Sequence, residues 1–497
     1  MIDNILLITT MAALLSAPVI YIGGRVIGKK ISWAVFAVLL GLSAFYAALF
    51  PQVESGVLLE VYNWVEAPLR MNFGLLADGL SVPVSFTFLF ICAFVTLFSF
   101  LYMERRFSLG DVEGSNEQYA RYYTLLLLYS VSVADSMLST NLIQFYLFFE
   151  TALIFSWLLI LFYGYGDRRR NSLLYFLYTQ IGSGVLLVGV LGVYWTVGSF
   201  EVADLSKIAA YPSAFWIGAA ILFGILVKIG ALGLHGWMPD TYSESPAPIS
   251  AVLGSTSVML STYALARFMP PFQSVLSGIS GWVMLWALLT ILYAGVMALK
   301  QNDTKRLVAY LSLSQMNYCL LGVFTFVPYG MLGAISYSIS HGIAIALLFL
   351  VSGALLYRTN TRDMNKMGGL GEKLPVVLLA TIAGFLTIGG IPPAVGFKSK
   401  FILLSGAFER AFKSTWLEFL VAISAGTLAT VITIGYEFST IKRVFYGKLQ
   451  DGLRGVKNVP LHMAVALLAL GALSIVLGIW PSLITNPIEA YIEHLFQ

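Results

Sequence analysis

Apolar runs of about 20 residues recur along this chain, each long enough to cross a bilayer as a helix. One of them, AAILFGILVKIGALGLHGW, carries a lysine, Lys228. A second, VVLLATIAGFLTIGGIPPAVGFKSKFILLSG, carries Lys398 and Lys400 just past a Gly-Gly-Ile-Pro-Pro interruption. A charge at membrane depth is costly, so it faces a partner or water and marks a functional site by default. Only 11% of the residues are charged, against about 25% in a soluble domain. A β-barrel would instead alternate polar and apolar residues in segments of about 10.

The pattern predicts an all-α polytopic membrane protein with about 14 transmembrane helices. The spans fall near 4–25, 31–50, 82–103, 121–138, 141–164, 172–198, 212–236, 247–268, 276–299, 305–325, 328–355, 374–408, 417–440 and 460–483. Most of the 29 lysines and arginines lie in one alternate set of loops, among them Arg25, Lys30, Arg105, Arg106, Arg168, Lys305, Arg306, Arg362 and Lys442. The other set holds Arg70, Lys207, Arg267, Arg410 and Lys413. Positive loops stay in the cytoplasm. The expected location is therefore the cell membrane, with both termini outside.

Two spans read as broken. Gly230 and Gly233 follow Lys228, and Pro392 and Pro393 follow Gly389 and Gly390. Proline removes a helix hydrogen bond, and freed backbone groups at this depth need protein or a wet cavity around them. Broken helices in matching places of two halves are the mark of inverted repeats. The expected organisation is 1–120 as N-terminal helices 1–3, 121–270 as the first inverted repeat (helices 4–8), 271–445 as the second (helices 9–13), and 446–497 as helix 14 and a tail. Helices 7 and 12 are the discontinuous ones. A packing kink is the competing reading of either break.

The candidate site is a line of ionisable groups. Glu150 stands about ten residues into a span, and a nearby Glu–Lys pair would change protonation as its separation changes. A static ion pair is the rival. Lys228 is the strongest candidate, because burial lowers the cost of releasing its proton. His235 follows the first break and would relay protons or cap the helix end. His341 sits among Ser336, Tyr337, Ser338 and Ser340, a polar patch in an apolar helix. Lys400 and Lys398 are two apart and face different ways, so Lys400 is the first choice for the channel and Lys398 would lie beside the break. Asp78 and Asp135 are weaker candidates near span ends. Cys92 and Cys319 read as small core hydrophobes. No nucleotide loop, metal-ligand spacing or dinucleotide fingerprint is present, and the scattered charge does not suggest nucleic acid.

The segments LFFETALIF, VKIGALGLHGWMPDTYSESPAPISAVL, DTKRLVAYLSLSQMNY, SHGIAIALLFL, TRDMNKMGGL and GIPPAVGFKSKF resemble, in order, the antiporter-like subunits of respiratory complex I and its relatives. The likeness is strongest to the chain-4 and Mrp-D types, which also occur in membrane-bound hydrogenase-like and deazaflavin-dehydrogenase-like complexes. The resemblance implies fourteen core helices and a polar line along the membrane plane. It places the family's fifth-helix glutamate on Glu150, the seventh-helix lysine on Lys228, the following histidine on His235, the eleventh-helix histidine on His341 and the twelfth-helix ionisable residue on Lys400. Two departures stand out. Met259 takes the place of an eighth-helix lysine, and Gln315 that of a tenth-helix histidine. Ser255, Thr256, Ser257, Ser261 and water would then carry more of the central relay.

The function implied is proton translocation within a redox-driven membrane complex. The chain itself would carry no cofactor; iron–sulfur and other redox centres would sit in partner subunits. Expected partners are other antiporter-like and small membrane subunits, a peripheral redox arm, lipids, and H+ or Na+ as the moving ion. A subunit of a multisubunit Na+/H+ antiporter and a structural scaffold with a dead channel are the alternatives.

Overall fold

The structure is a computed structural model, and it describes residues 4–66, 71–108 and 115–496. Arg70, Gly110 and Gly114 lie outside the described residues. The helices in chain order are α1 (Ile5–Ile27), α2 (Ile31–Ala48), α3 (Phe50–Ser55), α4 (Ser81–Ser108), α5 (Asn116–Leu138), α6 (Leu142–Tyr163) and α7 (Arg168–Val197). Then come α8 (Ala214–Ile229), α9 (Met238–Glu244), α10 (Ala247–Phe268), α11 (Gln273–Leu276), α12 (Ser280–Leu299), α13 (Thr304–Val323) and α14 (Pro328–Thr359). The last are α15 (Pro375–Gly389), α16 (Val395–Lys413), α17 (Trp416–Gly426), α18 (Leu428–Phe445), α19 (Leu461–Ile479) and α20 (Ser482–Phe496).

Among the described residues, nine segments are long and apolar enough to cross a membrane; the first, Ile5–Ser55, contains both α1 and α2. The chain is thus a helical, multi-pass membrane protein. The helices outside those nine include α5 and α13, which carry polar side chains, and α8 and α15, which are cut short at breaks. The groups that make a helix chemically useful also lower its hydropathy.

α10 and α14 form the centre. Every residue of α10 is buried, as are those of α14 from Gly330 to Leu355. α4, α13 and α16 pack around them. Helices at the edge, such as α7, bury one narrow face and expose Leu177, Ile181, Val188 and Trp195, the surface expected against lipid or a neighbouring subunit.

A two-stranded antiparallel hairpin, β1 (Leu58–Val65) and β2 (Met71–Ala77), is an addition to the helices expected from sequence. Its alternating LLEVYNWV pattern suits a strand exposed on one face. The hairpin closes helix ends. Glu60 accepts from the amides of Leu6 and Leu7, both at 2.9 Å, and so satisfies the open N-terminus of α1. Gly74 exchanges two 2.9 Å hydrogen bonds with the Gln144 side chain at the start of α6. A Cβ there would lie 2.1 Å from Thr140 Oγ1, so only glycine allows the approach.

Two loop assignments need correction. Arg267 belongs to α10 and is buried; it meets Asp78 with two contacts, Nη1–Oδ2 at 2.7 Å and Nη2–Oδ1 at 2.9 Å. Asp78 also accepts from the amides of Leu80 and Ser81 at the start of α4. Lys305, grouped above with the cytoplasmic loop charges, is fully buried and donates to the carbonyl of Ser245. A basic residue at a helix end can tie helices together as well as set topology.

Candidate functional site: a polar line through two broken helices

The first break is a sharp stop. α8 ends at Ile229, and Gly230 (φ 74°) adopts the left-handed conformation that glycine tolerates. The amides of Gly230 and Ala231 both turn back to the Leu226 carbonyl, at 2.9 and 3.1 Å. The chain restarts as α9 at Met238. Lys228 therefore sits in the last turn of α8, where the negative end of the helix dipole favours a cation. It is 7% exposed. Its ammonium lies 5.4 Å from the Phe149 ring centre and 5.7 Å from that of Tyr175, within cation–π range.

Glu150, next to Phe149 on α6, is half-buried, and its Oε1 has no hydrogen-bond partner. Lys228 acts on it electrostatically, yet among the described residues the two form no ion pair within 4.0 Å. Glu150 and Lys228 are thus neighbours with a gap between them. His235 lies within the break. Its Nδ1 accepts from the Gly233 amide at 3.2 Å, and its ring packs against Tyr293 at 5.2 Å. That arrangement braces the loop.

The second break repeats the first. α15 ends at Gly389, Gly390 (φ 70°) is left-handed, and the amides of Gly390 and Ile391 return to the Leu386 carbonyl. α16 then starts at Val395 and carries Lys400 inward, 4% exposed, with Lys398 exposed on another face. Lys400 Nζ lies 4.4 Å from the centre of the Tyr318 ring and donates to Gln315 Oε1 at 3.4 Å.

Gln315 is a junction. Its Nε2 donates to Thr433 Oγ1 and Tyr436 OH, each at 3.0 Å, and its Oε1 accepts from Tyr337 OH at 2.7 Å. One amide thereby joins α13, α14, α16 and α18, which a histidine ring could not do with its two nitrogens. One turn along α14, His341 is fully buried. Its Nε2 faces Ser312 Oγ at 3.4 Å, and its Nδ1 has no protein partner.

Between the two ends runs a polar strip on α10. Ser255 donates to the carbonyl of Gly342 at 2.8 Å, next to His341. Thr256 accepts from Tyr129 at 2.6 Å, and Ser257 from Tyr242 at 2.7 Å. Ser261 and Thr262 hydroxyls are buried without partners, as is Ser336 on α14. Buried polar groups of this kind are normally satisfied by ordered water. Met259 packs on Gly342: a Cβ there would lie 2.5 Å from its sulfur.

Among the sequence-predicted residues, the structure brings Lys400 and His341 to the same α13–α14 polar cluster and keeps Glu150 near Lys228. His235 lies in the first break, its Cβ 3.5 Å from the position a Cβ on Gly230 would take, and Lys398 is exposed on α16. Asp135 is 2% exposed, hydrogen-bonded by Thr10 at 3.2 Å on the α1 side of the bundle. The sequence reading missed Glu437 on α18. It is 2% exposed and its Oε1 lacks a partner. Its place inside the apolar span expected near 417–440 was the available signal. Among the described residues, no group of three or more His, Cys, Asp or Glu could hold a metal ion, and Cys92 and Cys319 are free and buried.

Residues 139–433, more than half of the 497-residue chain, match the family described as NADH:quinone oxidoreductase/Mrp antiporter, TM. The chain belongs to this family. F(420)H(2) dehydrogenase subunit M of Methanosarcina mazei is 30% identical over 436 residues, covering 85% of this chain and 83% of that protein. A chain of the Mrp complex structure from Dietzia sp. superposes with a TM-score of 0.84 at 21% identity, covering 99% of this chain and 98% of that one. A chain of respiratory complex I from Thermus thermophilus with bound NADH gives the same TM-score of 0.84 at 24% identity, covering 98% and 99%. At these identities the two structures establish a shared fold. For this member of the NADH:quinone oxidoreductase/Mrp antiporter family, the matched region contains both the α8 break and the α15–α16 break.

Proposed function

We propose that this chain is a proton-translocating, antiporter-like subunit of a membrane-bound, redox-driven complex, and that it holds none of the redox centres itself. The observation that carries this is the pair of buried lysines, Lys228 and Lys400, each at a helix break, in a bundle whose α10, α13 and α14 carry buried polar side chains. An isolated buried lysine is expensive, and two of them on one polar line are explained by charge movement. Two relatives' names support the same reading: a dehydrogenase subunit and respiratory complex I.

In this reading the chain has fourteen spans, with helices 4–8 (121–270) and 9–13 (271–445) as inverted repeats. Matching details support the repeat. Both breaks use a left-handed glycine whose amide bonds a leucine carbonyl, Leu226 or Leu386. Isolated bridges Asn141↔Glu201 and Asp303↔Asp363 recur at the same spacing, and Asn141 and Asp303 each cap the helix that follows. Redox events in partner subunits change the separation of Glu150 and Lys228. Lys228 then passes a proton along the α10 hydroxyls and water toward His341, and Lys400 releases it on the outer side. Other antiporter-like and small membrane subunits flank the chain, and a peripheral arm carries iron–sulfur and other centres. The complex sits in the cell membrane, with both termini of this chain outside.

The test is the assembled complex in vesicles, with electron transfer and proton movement recorded together. Lys228→Ala is expected to keep assembly and lower the protons moved per electron by at least about tenfold. An unchanged ratio sinks the relay and favours a scaffold. Proton movement that needs a sodium gradient and no electron donor would select the Mrp-type antiporter, a reading that the Mrp superposition also supports.

A further inference from the structure

Glu437 occupies a place that is hard to explain as packing. It projects from α18 onto the last turn of α15: a Cβ on Gly389 would lie 2.7 Å from its Oε2 and 3.2 Å from its Oε1. The carboxylate thus sits at the C-terminal end of a broken helix, where unsatisfied carbonyls disfavour a second negative charge. Lys400 stands on the other side of the same break, its Cδ 3.2 Å from the position a Cβ on Gly390 would take. Glu437 and Lys400 interact electrostatically. Among the described residues they close no ion pair within 4.0 Å. The remaining titratable neighbours are Tyr436 on α18, Tyr318 on α13, and Tyr337 and His341 on α14.

We propose that Glu437 is the carboxylate partner of Lys400, so that the second break has its own carboxylate–lysine couple, as Glu150 and Lys228 form at the first. The inference rests on the proton-translocating reading and adds a residue to it. A proton arriving through the polar line binds the Lys400 amine. When a water bridges the gap or the side chains close on each other, it passes from Nζ to a Glu437 oxygen: the N–H bond breaks, an O–H bond forms, and the pair keeps its total charge. Release from Glu437 returns the couple to its starting state. The gap between the two side chains is what makes transfer switchable; a closed pair would trap the proton.

The assembled complex in vesicles tests this through five variants and the pH profile of protons moved per electron. Glu437→Gln is expected to lower that ratio about tenfold. Glu437→Asp is expected to restore most of it with a displaced pH profile, since a carboxylate is retained at a shorter reach. Gly389→Ala keeps the carboxylate but pushes it aside, and is expected to resemble Glu437→Gln. This variant keeps the test open if the glutamine variant fails to assemble. Gly471→Ala, where a Cβ would meet Ala383 at an ordinary 3.5 Å, should change nothing. A wild-type ratio and pH profile in both Glu437→Gln and Gly389→Ala would overturn the couple, as would an aspartate variant no better than the glutamine one. If Lys228→Ala still abolishes translocation in that case, only the Glu437 assignment fails. If Lys228→Ala is also silent, the relay itself fails.

Discussion

A charged side chain inside an apolar run is conspicuous, which is why Glu150, Lys228 and Lys400 stand out in the sequence, as His341 does by its polar patch. What their surroundings look like could not. Glu437 stands close to Lys442 and Arg443, near the end of its span, where carboxylates commonly reach water; the fold buries it, with its carboxylate against Gly389 at the end of α15. Arg267 went astray for the opposite reason. A basic residue at a span end looks like a loop anchor, yet here it is enclosed by Asp78, Tyr263 and Tyr491. Removing one partner of a buried pair leaves an uncompensated charge, at a cost of about 3–5 kcal/mol. Arg267→Met should therefore lower the stability of the solubilised protein by that amount, and Asp78→Asn added to it should recover part of the loss. Thermal unfolding followed by tryptophan fluorescence checks this. A change below about 0.5 kcal/mol would place the pair among surface contacts.

At the level of elements, glycine and proline punctuation announced both broken helices. The hairpin, the interruption at Thr427 between α17 and α18, and the terminal helix α20 were less visible, since short strands and helix joints leave weak periodic signals. Each break depends on a left-handed glycine. Gly390→Ala should cost about 1–2 kcal/mol, because an L side chain resists that conformation, and should also crowd Lys400. A Gly390→Ala protein as stable as wild type, by the same unfolding measurement, would mean that the break is held elsewhere. The hairpin makes a separate prediction. Glu60→Ala removes the acceptor for two amides at the start of α1, a loss of about 1 kcal/mol. Hydrogen exchange at Leu6 and Leu7 should speed up while the centre of α1 is unchanged. Equal protection in both proteins would show that Glu60 is only a surface charge.

For the molecule as a whole, the charge of the loops predicted an orientation, and the buried Arg267 and Lys305 weaken individual votes without reversing the majority. Exposed positions in α7 and in the loop before α17 allow the orientation to be measured, because the native cysteines are buried. An impermeant thiol reagent added outside intact cells should label Ser414→Cys and leave Arg169→Cys untouched. The reverse pattern would invert the topology and the direction of release. The larger claim is that buried lysines, serines and a histidine from both halves line one hydrated route. The most direct measurement is a cryo-EM map of the assembled complex at a resolution that shows ordered water. A chain of water densities is expected from Lys228 past Ser255 and Ser261 to His341, Gln315 and Lys400, with Glu437 beside Lys400. Closed apolar packing between Lys228 and His341, with no density between them, would contradict it.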